Sequence, residues 1–294
     1  MKLIEQDAPI RRSNSEDRSP LPPPRIPRRT MPLNQKRLQE WVAQAPLAGV
    51  RRDEVEAHFR GMPPWYWQSV TKGELVWALE TVHAFLEKLI PWETPGAPAV
   101  ASLRHCPERG FTKVMVCTLD RPGLLAKIAA IFSALRISIL QADVYTRADN
   151  LALDVFHVSS ANDARPVDAE RLEELIFMLE GTLNDPPRLV SVWTRQFQRP
   201  SEPTPATAIT LEFDNESSET NTILRVEAPD RLGLLSSVLE ALHRCSVNVA
   251  QAIVSTEGGV ARDSLYLTDR EGAKITHKLA LGTIRKVVLE SLQG

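Results

Sequence analysis

A six-residue stretch occurs twice, as Asp120-Arg121-Pro122-Gly123-Leu124-Leu125 and Asp230-Arg231-Leu232-Gly233-Leu234-Leu235, with a spacing of 110 residues. The same offset carries Ile137, Ile139, Gln141, Ala142, Val144 and Thr146 onto Val247, Val249, Gln251, Ala252, Val254 and Thr256. Self-similarity at a fixed spacing is the mark of repeated structural units, and a period this long implies two domains rather than a solenoid. Each copy is expected to fold as its own small unit.

The remaining sequence divides around these copies. Residues 1–32 are rich in proline and poor in apolar residues, with seven Lys or Arg against four acids. Such a segment cannot bury enough surface to offset its ordering entropy, so it reads as a disordered tail, with Leu21-Pro22-Pro23-Pro24 as a candidate docking motif. Residues 33–92 turn helical and read as a small helical domain, with helices around Gln35–Gln44 and Asp53–Arg60 and a longer third. Thr71-x-x-Glu74 is a capping box that opens the third helix, and Leu75, Leu79, Val82, Leu86 and Leu89 form one apolar stripe ending at Pro91. Proline-rich linkers after Trp92 and around Gln198–Pro205 then set off a first repeat domain at 99–197 and a second at 206–294.

Within the first repeat, alternating and helical periods predict a strand at Lys113–Leu119, a helix at Gly123–Leu135, strands at Ile137–Thr146 and Leu151–Val158, a helix at Asp168–Leu179 and a closing strand at Leu189–Gln196. The order is βαββαβ, an α+β, ferredoxin-like arrangement. The second repeat follows it through Ile223–Ala228, Leu234–Arg244, Val247–Thr256, Ala261–Thr268 and Lys274–Ser291, with a hairpin signal at Glu257-Gly258-Gly259 but no last strand. Ala208–Phe213 is available for that edge, and Ala99–Arg104 for the corresponding edge of the first copy.

Bulk properties narrow the function classes. With 43% hydrophobic residues, 24% charged residues and a formal charge of −2, the chain has a globular composition and no summed positive field, so nucleic acid is not an expected partner. No apolar run approaches the ~20 residues of a membrane span, and no secretory signal is legible at the N-terminus. Cys106, Cys117 and Cys245 are scattered without metal-ligand spacing, which suits a reducing, cytoplasmic setting. The six histidines are dispersed and read as structural or surface residues, Trp65, Tyr66 and Trp67 as packing residues. No cofactor or metal is expected.

The repeated loop has a physical reading of its own. A strand runs into Asp-Arg-x-Gly and at once becomes a helix, so the glycine falls at a helix N-terminus whose unpaired N–H groups and dipole attract an anion. The aspartate offers the opposite charge, and an ammonium with a carboxylate is the outline of an α-amino acid. The alternative stays open: Asp120 and Asp230 are helix N-caps, Gly123 and Gly233 relieve crowding, and nothing binds.

Leu119-Asp120-Arg121-Pro122-Gly123-Leu124-Leu125, the helix after it, Ile137-Ser138-Ile139-x-x-Ala142 and a strand containing Asp154 resemble the ACT domain, as does the second copy with Val247-Asn248-Val249. Leu211-Glu212-Phe213-Asp214-Asn215 and Ala228-Pro229-Asp230-Arg231 are similar to the C-terminal tandem of the PII uridylyltransferase/uridylyl-removing enzyme family. The resemblance covers roughly residues 50–292, with His58-Phe59-x-x-Met62-Pro63 similar to the segment before that tandem. It implies a non-catalytic regulatory protein that senses a small amino acid, glutamine favoured, in nitrogen-metabolism signalling. It also implies ligand-binding residues: Asp120, Gly123 and Leu124 in one loop, Asp230, Gly233 and Leu234 in the other, and Ser138, Gln141, Asn248 and Gln251 facing them.

Two departures stand against the family pattern: Leu232 where proline is usual, and Ser138 where asparagine is common. They favour a second reading, a ligand-free dimerisation or docking scaffold, as a homodimer or with a protein partner. Catalysis by the chain itself is not expected. There is no Gly-Ser pair for a nucleotidyltransferase loop and no His-Asp dipeptide for a metal phosphohydrolase, so uridylyltransferase-family activity would depend on a separate catalytic chain.

Overall fold

The computed structural model describes residues 35–45, 47, 49–91, 97–161, 165–183, 208–231, 233–257 and 259–293. The Pro-rich tail, the expected strand at Leu189–Gln196, the linker around Gln198–Pro205, Leu232 and Gly258 lie outside them.

Four helices come first: α1 (Gln35–Val42), α2 (Arg52–Gly61), α3 (Tyr66–Ser69) and α4 (Lys72–Leu89). Thr71 caps α4, its Oγ1 accepting the Glu74 N–H at 3.2 Å while the Glu74 carboxylate accepts the Thr71 N–H at 3.0 Å. Glu54 fixes α2 to α4: it is only 4% exposed and lies 3.0 Å from His83 Nδ1 and 2.8 Å from the Arg51 guanidinium.

The first repeat contributes β1 (Val100–Cys106), β2 (Phe111–Leu119), α5 (Leu124–Ala134), β3 (Ile137–Asp143), β4 (Leu151–Ser160) and α6 (Ala169–Thr182). The second contributes β5 (Thr210–Asp214), β6 (Thr222–Pro229), α7 (Leu234–Arg244), β7 (Asn248–Ile253), the short β8 (Thr256–Glu257), β9 (Val260–Thr268) and α8 (Lys278–Gln293). Together they form one sheet in the order β1-β2-β4-β3-β7-β9-β6-β5, with β8 paired to β9. Both halves are ferredoxin-like and antiparallel. Among the described residues the edge beside β2 is taken by β1 and the edge beside β6 by β5, the segments available for those positions in the sequence.

The helices and the first repeat share a core. Leu75, Leu79, Val82 and Phe85 of α4 cluster with Met115 and Cys117 of β2 and Leu151, Leu153 and Val155 of β4. Alternate residues of the same strands, Val114, Val116, Ala152, Phe156 and Val158, pack under α5 and α6. Strand β4 is therefore covered on both faces, which explains its unbroken Leu-Ala-Leu-Asp-Val-Phe. Strand β9 is covered on one face only and alternates between buried and partly exposed residues.

The repeats meet edge to edge through β3 and β7, with Ala142 opposite its own equivalent Ala252. A bulge at Leu140 and an equivalent one at Ala250 interrupt the two strands. Their carbonyls close the seam reciprocally: Val254 N–H donates to Leu140 O at 3.0 Å, and Val144 N–H to Ala250 O at 3.1 Å. On the helix layer, Ser236 Oγ donates to Ala126 O, the carbonyl of its equivalent residue. The duplication thus pairs with itself as an isologous dimer does, within one chain.

Candidate ligand site at the repeat seam

Each residue of the duplicated loop has a place. Asp120 receives the Thr146 hydroxyl at 3.0 Å, donates its N–H to Asn150 O at 2.8 Å and accepts Asn150 Nδ2 at its carbonyl at 3.0 Å. Asp230 receives the Thr256 hydroxyl at 3.0 Å and donates its N–H to Gly259 O at 2.8 Å. The aspartates brace the loops against the hairpins that follow; the helix N-cap position is held by the glycines, without a side-chain cap. Arg121 donates to Leu183 O at the end of α6, and Arg231 to Ser291 O near the end of α8, where cations complement the helix dipole.

Gly123 and Gly233 adopt φ of 77° and 81°, the left-handed conformation that a side chain disfavours. The Leu124 and Leu234 N–H groups close turns onto the Arg121 and Arg231 carbonyls. The amides after them, Leu125 with Ala126 and Leu235 with Ser236, stand in the first helical turn, where no intrahelical acceptor exists.

Around the first loop lies a cavity of about 840 Å³. Asp120, Gly123 and Leu124 line it from the first repeat, and His243 of α7, Asn248 and Val249 of β7, Arg270 and Glu271 from the second. The site is therefore built by both repeats. His243 stands 3.6 Å from where a Cβ on Gly123 would lie. Trp65, 45% exposed, reaches the cavity from the helical segment, whereas its neighbours Tyr66 and Trp67 are packed into that segment's core.

Of the residues expected at the site, the structure gathers Asp120, Gly123, Leu124 and Asn248 around this cavity. Asp230, Gly233 and Leu234 form the second loop, where a Cβ on Gly233 would meet nothing within 4 Å. Gln141 and Gln251 go elsewhere: their Nε2 atoms donate to the two oxygens of Asp143, at 2.7 and 2.6 Å, across the seam. Ser138 pairs with Ser159 on β4.

Asp154, Trp65, His243, Arg270 and Glu271 are cavity residues that sequence reasoning did not assign. Asp154 had a signal: an acid inside an apolar strand, matched by Asp263 in the second copy. Both are 2% exposed. Burial, and next the charge of Asp120, push the Asp154 carboxyl up to about 8, opposed by the Tyr145 N–H at 3.4 Å. Burial and then Asp230 push Asp263 up to about 7.

Sheet, helices and repeated loop together fit two ACT domains in tandem. Residues 113–176 match the ACT domain family, and the second repeat carries the same elements in the same order. The chain is homologous to the C-terminal region of bifunctional uridylyltransferase/uridylyl-removing enzymes. It is similar to those of Rhodospirillum rubrum, 34% identical over 62% of this chain and 20% of the relative, and Ruegeria pomeroyi, 28% identical over 87% and 27%. The corresponding enzyme of Gluconobacter oxydans is 32% identical over 67% and 21%. The chain thus spans about a fifth to a quarter of the length of these relatives, and what it shares with them is the regulatory region. A solved structure, a putative glycine cleavage system transcriptional repressor, matches 62% of this chain and 91% of its own at 11% identity and a TM-score of 0.22. Among the described residues no helix is long and apolar enough to cross a membrane.

Proposed function

We propose that this chain is a non-catalytic regulatory protein that senses a small amino acid, glutamine favoured, through the cavity between its ACT domains. The observation that carries the reading is the convergence, on one cavity of about 840 Å³, of the α5 N-terminus, the acids Asp120 and Asp154, and the opposite repeat's Asn248 and His243. The amides of the first helical turn suit a carboxylate, the acids suit an ammonium, and the polar wall from the second repeat suits a side-chain amide. Glutamine and a place in nitrogen signalling are favoured by the names of the relatives, which act in uridylyl transfer and removal.

Because the ligand would touch both repeats, its binding favours whichever packing of the seam it fits best, and only such differential affinity shifts an equilibrium. Calorimetry with glutamine and the other common amino acids tests the reading. Saturable heat is expected, lost in Gly123→Val with the melting transition retained. Flat heats with every amino acid at millimolar concentration contradict it.

A scaffold role is a second reading, favoured by one observation: Asp120, Arg121, Asp230 and Arg231 all have structural partners. Self-association unaffected by amino acids, measured by light scattering, supports it over the first.

A further inference from the structure

The cavity is lined by a buried group that the loop alone does not call for. Asp154 lines the cavity, and its position on β4 puts it on the face under α5 and α6 with Ala152 and Phe156. Among the described residues no cation is paired with it: burial, the charge of Asp120 and the Tyr145 N–H are what act on its carboxyl. From the loop comes Asp120; from the following hairpin come the Tyr145 N–H at 3.4 Å and Thr146, whose hydroxyl is given to Asp120. The paired residue on β2 is the apolar Val116, and the first turn of α5 presents Leu124. The second repeat brings His243, Arg270 and Glu271 to the walls, with Arg270 bonded to Ser246 Oγ at 2.6 Å. Arg121 also lines the cavity, with its guanidinium bonded to Leu183 O, and Arg147 is bonded to Asp149.

The arrangement is duplicated. Asp263 occupies the corresponding position of β9, opposite Val226 as Asp154 is opposite Val116, and stands beside Asp230. The Ser255 N–H faces its carboxylate, as the Tyr145 N–H faces that of Asp154, but makes no close hydrogen bond to either oxygen. A buried carboxyl without a cation beside a second acid keeps its proton, and burying one twice without purpose would weaken the fold twice.

We propose that Asp154 is the specificity-determining residue of the cavity: it takes the ammonium group of the entering amino acid and gives up its own proton to solvent as it does so. The inference rests on the amino-acid reading above. The Asp154 O–H bond breaks, the proton passes to water and buffer, and N–H···O bonds form between the ammonium and the resulting carboxylate. The ligand keeps its own charge. Selectivity follows, because a ligand lacking the amine leaves Asp154 protonated and gains nothing from it. Affinity should rise with pH between about 6 and 8, since below the folded-state value near 8 the Asp154 proton must be displaced for the ligand to enter.

Calorimetry of the full chain in phosphate and in Tris at pH 7 tests this, with glutamine as first probe and the other common amino acids after it. Their different ionisation heats report protons released. The expected result is release of about one proton per bound ligand. Asp154→Asn, with its melting transition retained, should release none and bind roughly thirtyfold or more weakly. The des-amino analogue of the bound amino acid should not compete. Binding with buffer-independent heat, or undiminished affinity and proton release in Asp154→Asn, overturns this proposal while leaving amino-acid sensing intact. No binding of any amino acid overturns both.

Discussion

The hydroxyl of Tyr145 lies 2.9 Å from Ser69 Oγ, so a residue of the first repeat's hairpin is bonded into the helical segment. Its ring meets Tyr66 edge to face at 5.0 Å, and its backbone N–H donates to Asp154, which lines the cavity. One residue therefore touches the candidate site through its backbone and the helices through its side chain. Just beyond it, Ala148 N–H donates to Gly61 O at the end of α2.

Tyr145→Phe keeps the ring contact and removes the hydroxyl bond. It should lower stability by about 1 kcal/mol, measured by urea unfolding. Cleavage of the helical segment in limited proteolysis should quicken more than cleavage within the sheet. Uniform acceleration across the chain would mean that the bond does not tie the helices in particular.

The buried acids make stability depend on pH with a definite sign. Asp154 has a folded value near 8, against an ordinary carboxyl near 4, so the folded chain holds a proton that the unfolded chain has lost. Its stabilising contribution is fully present below about pH 4 and is lost as pH rises towards 8. Asp154→Asn should therefore gain stability relative to the parent chain as pH rises from 5 to 8, by at most about 1.4 kcal/mol per unit. Asp263→Asn should behave alike, over a range ending near 7. Parallel stability curves for variant and parent would contradict the prediction.

Much of the architecture was legible in the sequence because the duplication repeats it. The capping box at Thr71 and Glu74 and the helix at Leu234–Arg244 follow from local pattern alone, and the edge strands near Ala99 and Ala208 from the lack of any other partner for those edges. Helix α3 escaped notice because four residues after Pro63-Pro64 are too few to show a period. The glutamines escaped for a different reason. The bulges at Leu140 and Ala250 shift the strand's alternation by one residue, so that Ala142 and Ala252 turn into the core and Gln141 and Gln251 turn to the opposite face, onto Asp143. A cavity shared between repeats, with His243 against Gly123, depends on how the sheets join and has no local signature.

Asp143 breaks the pseudo-symmetry of the seam, its counterpart in the second copy being Ile253. Because it accepts from both glutamines, Asp143→Ala should weaken the chain by about 1–3 kcal/mol. The loss should shrink in Gln141→Ala/Gln251→Ala, where the acceptor has already lost these donors. Equal losses in both backgrounds, in a double-mutant cycle of unfolding free energies, would show that the bonds do not hold the seam.

The loop glycines should cost alike when replaced. Gly123→Ala and Gly233→Ala each force a side chain to φ near 80°, at about 1–2 kcal/mol. Space does not separate them, since the nearest atom to a Cβ at Gly123 is His243 Cδ2 at 3.6 Å and Gly233 has open surroundings. Thermal melts of the two variants compare them directly, and an unchanged melting temperature in either would remove the conformational argument for that loop.

The central claim is that an α-amino acid seats its carboxylate on the first turn of α5, in the cavity between the repeats. Backbone amide resonances followed by NMR during a glutamine titration test it most directly. The account predicts saturable shifts at Gly123, Leu125, Ala126 and Asn248, together with the Trp65 indole. Saturation with shifts confined to residues away from that cavity, or no shifts at millimolar glutamine or any other amino acid, would contradict it.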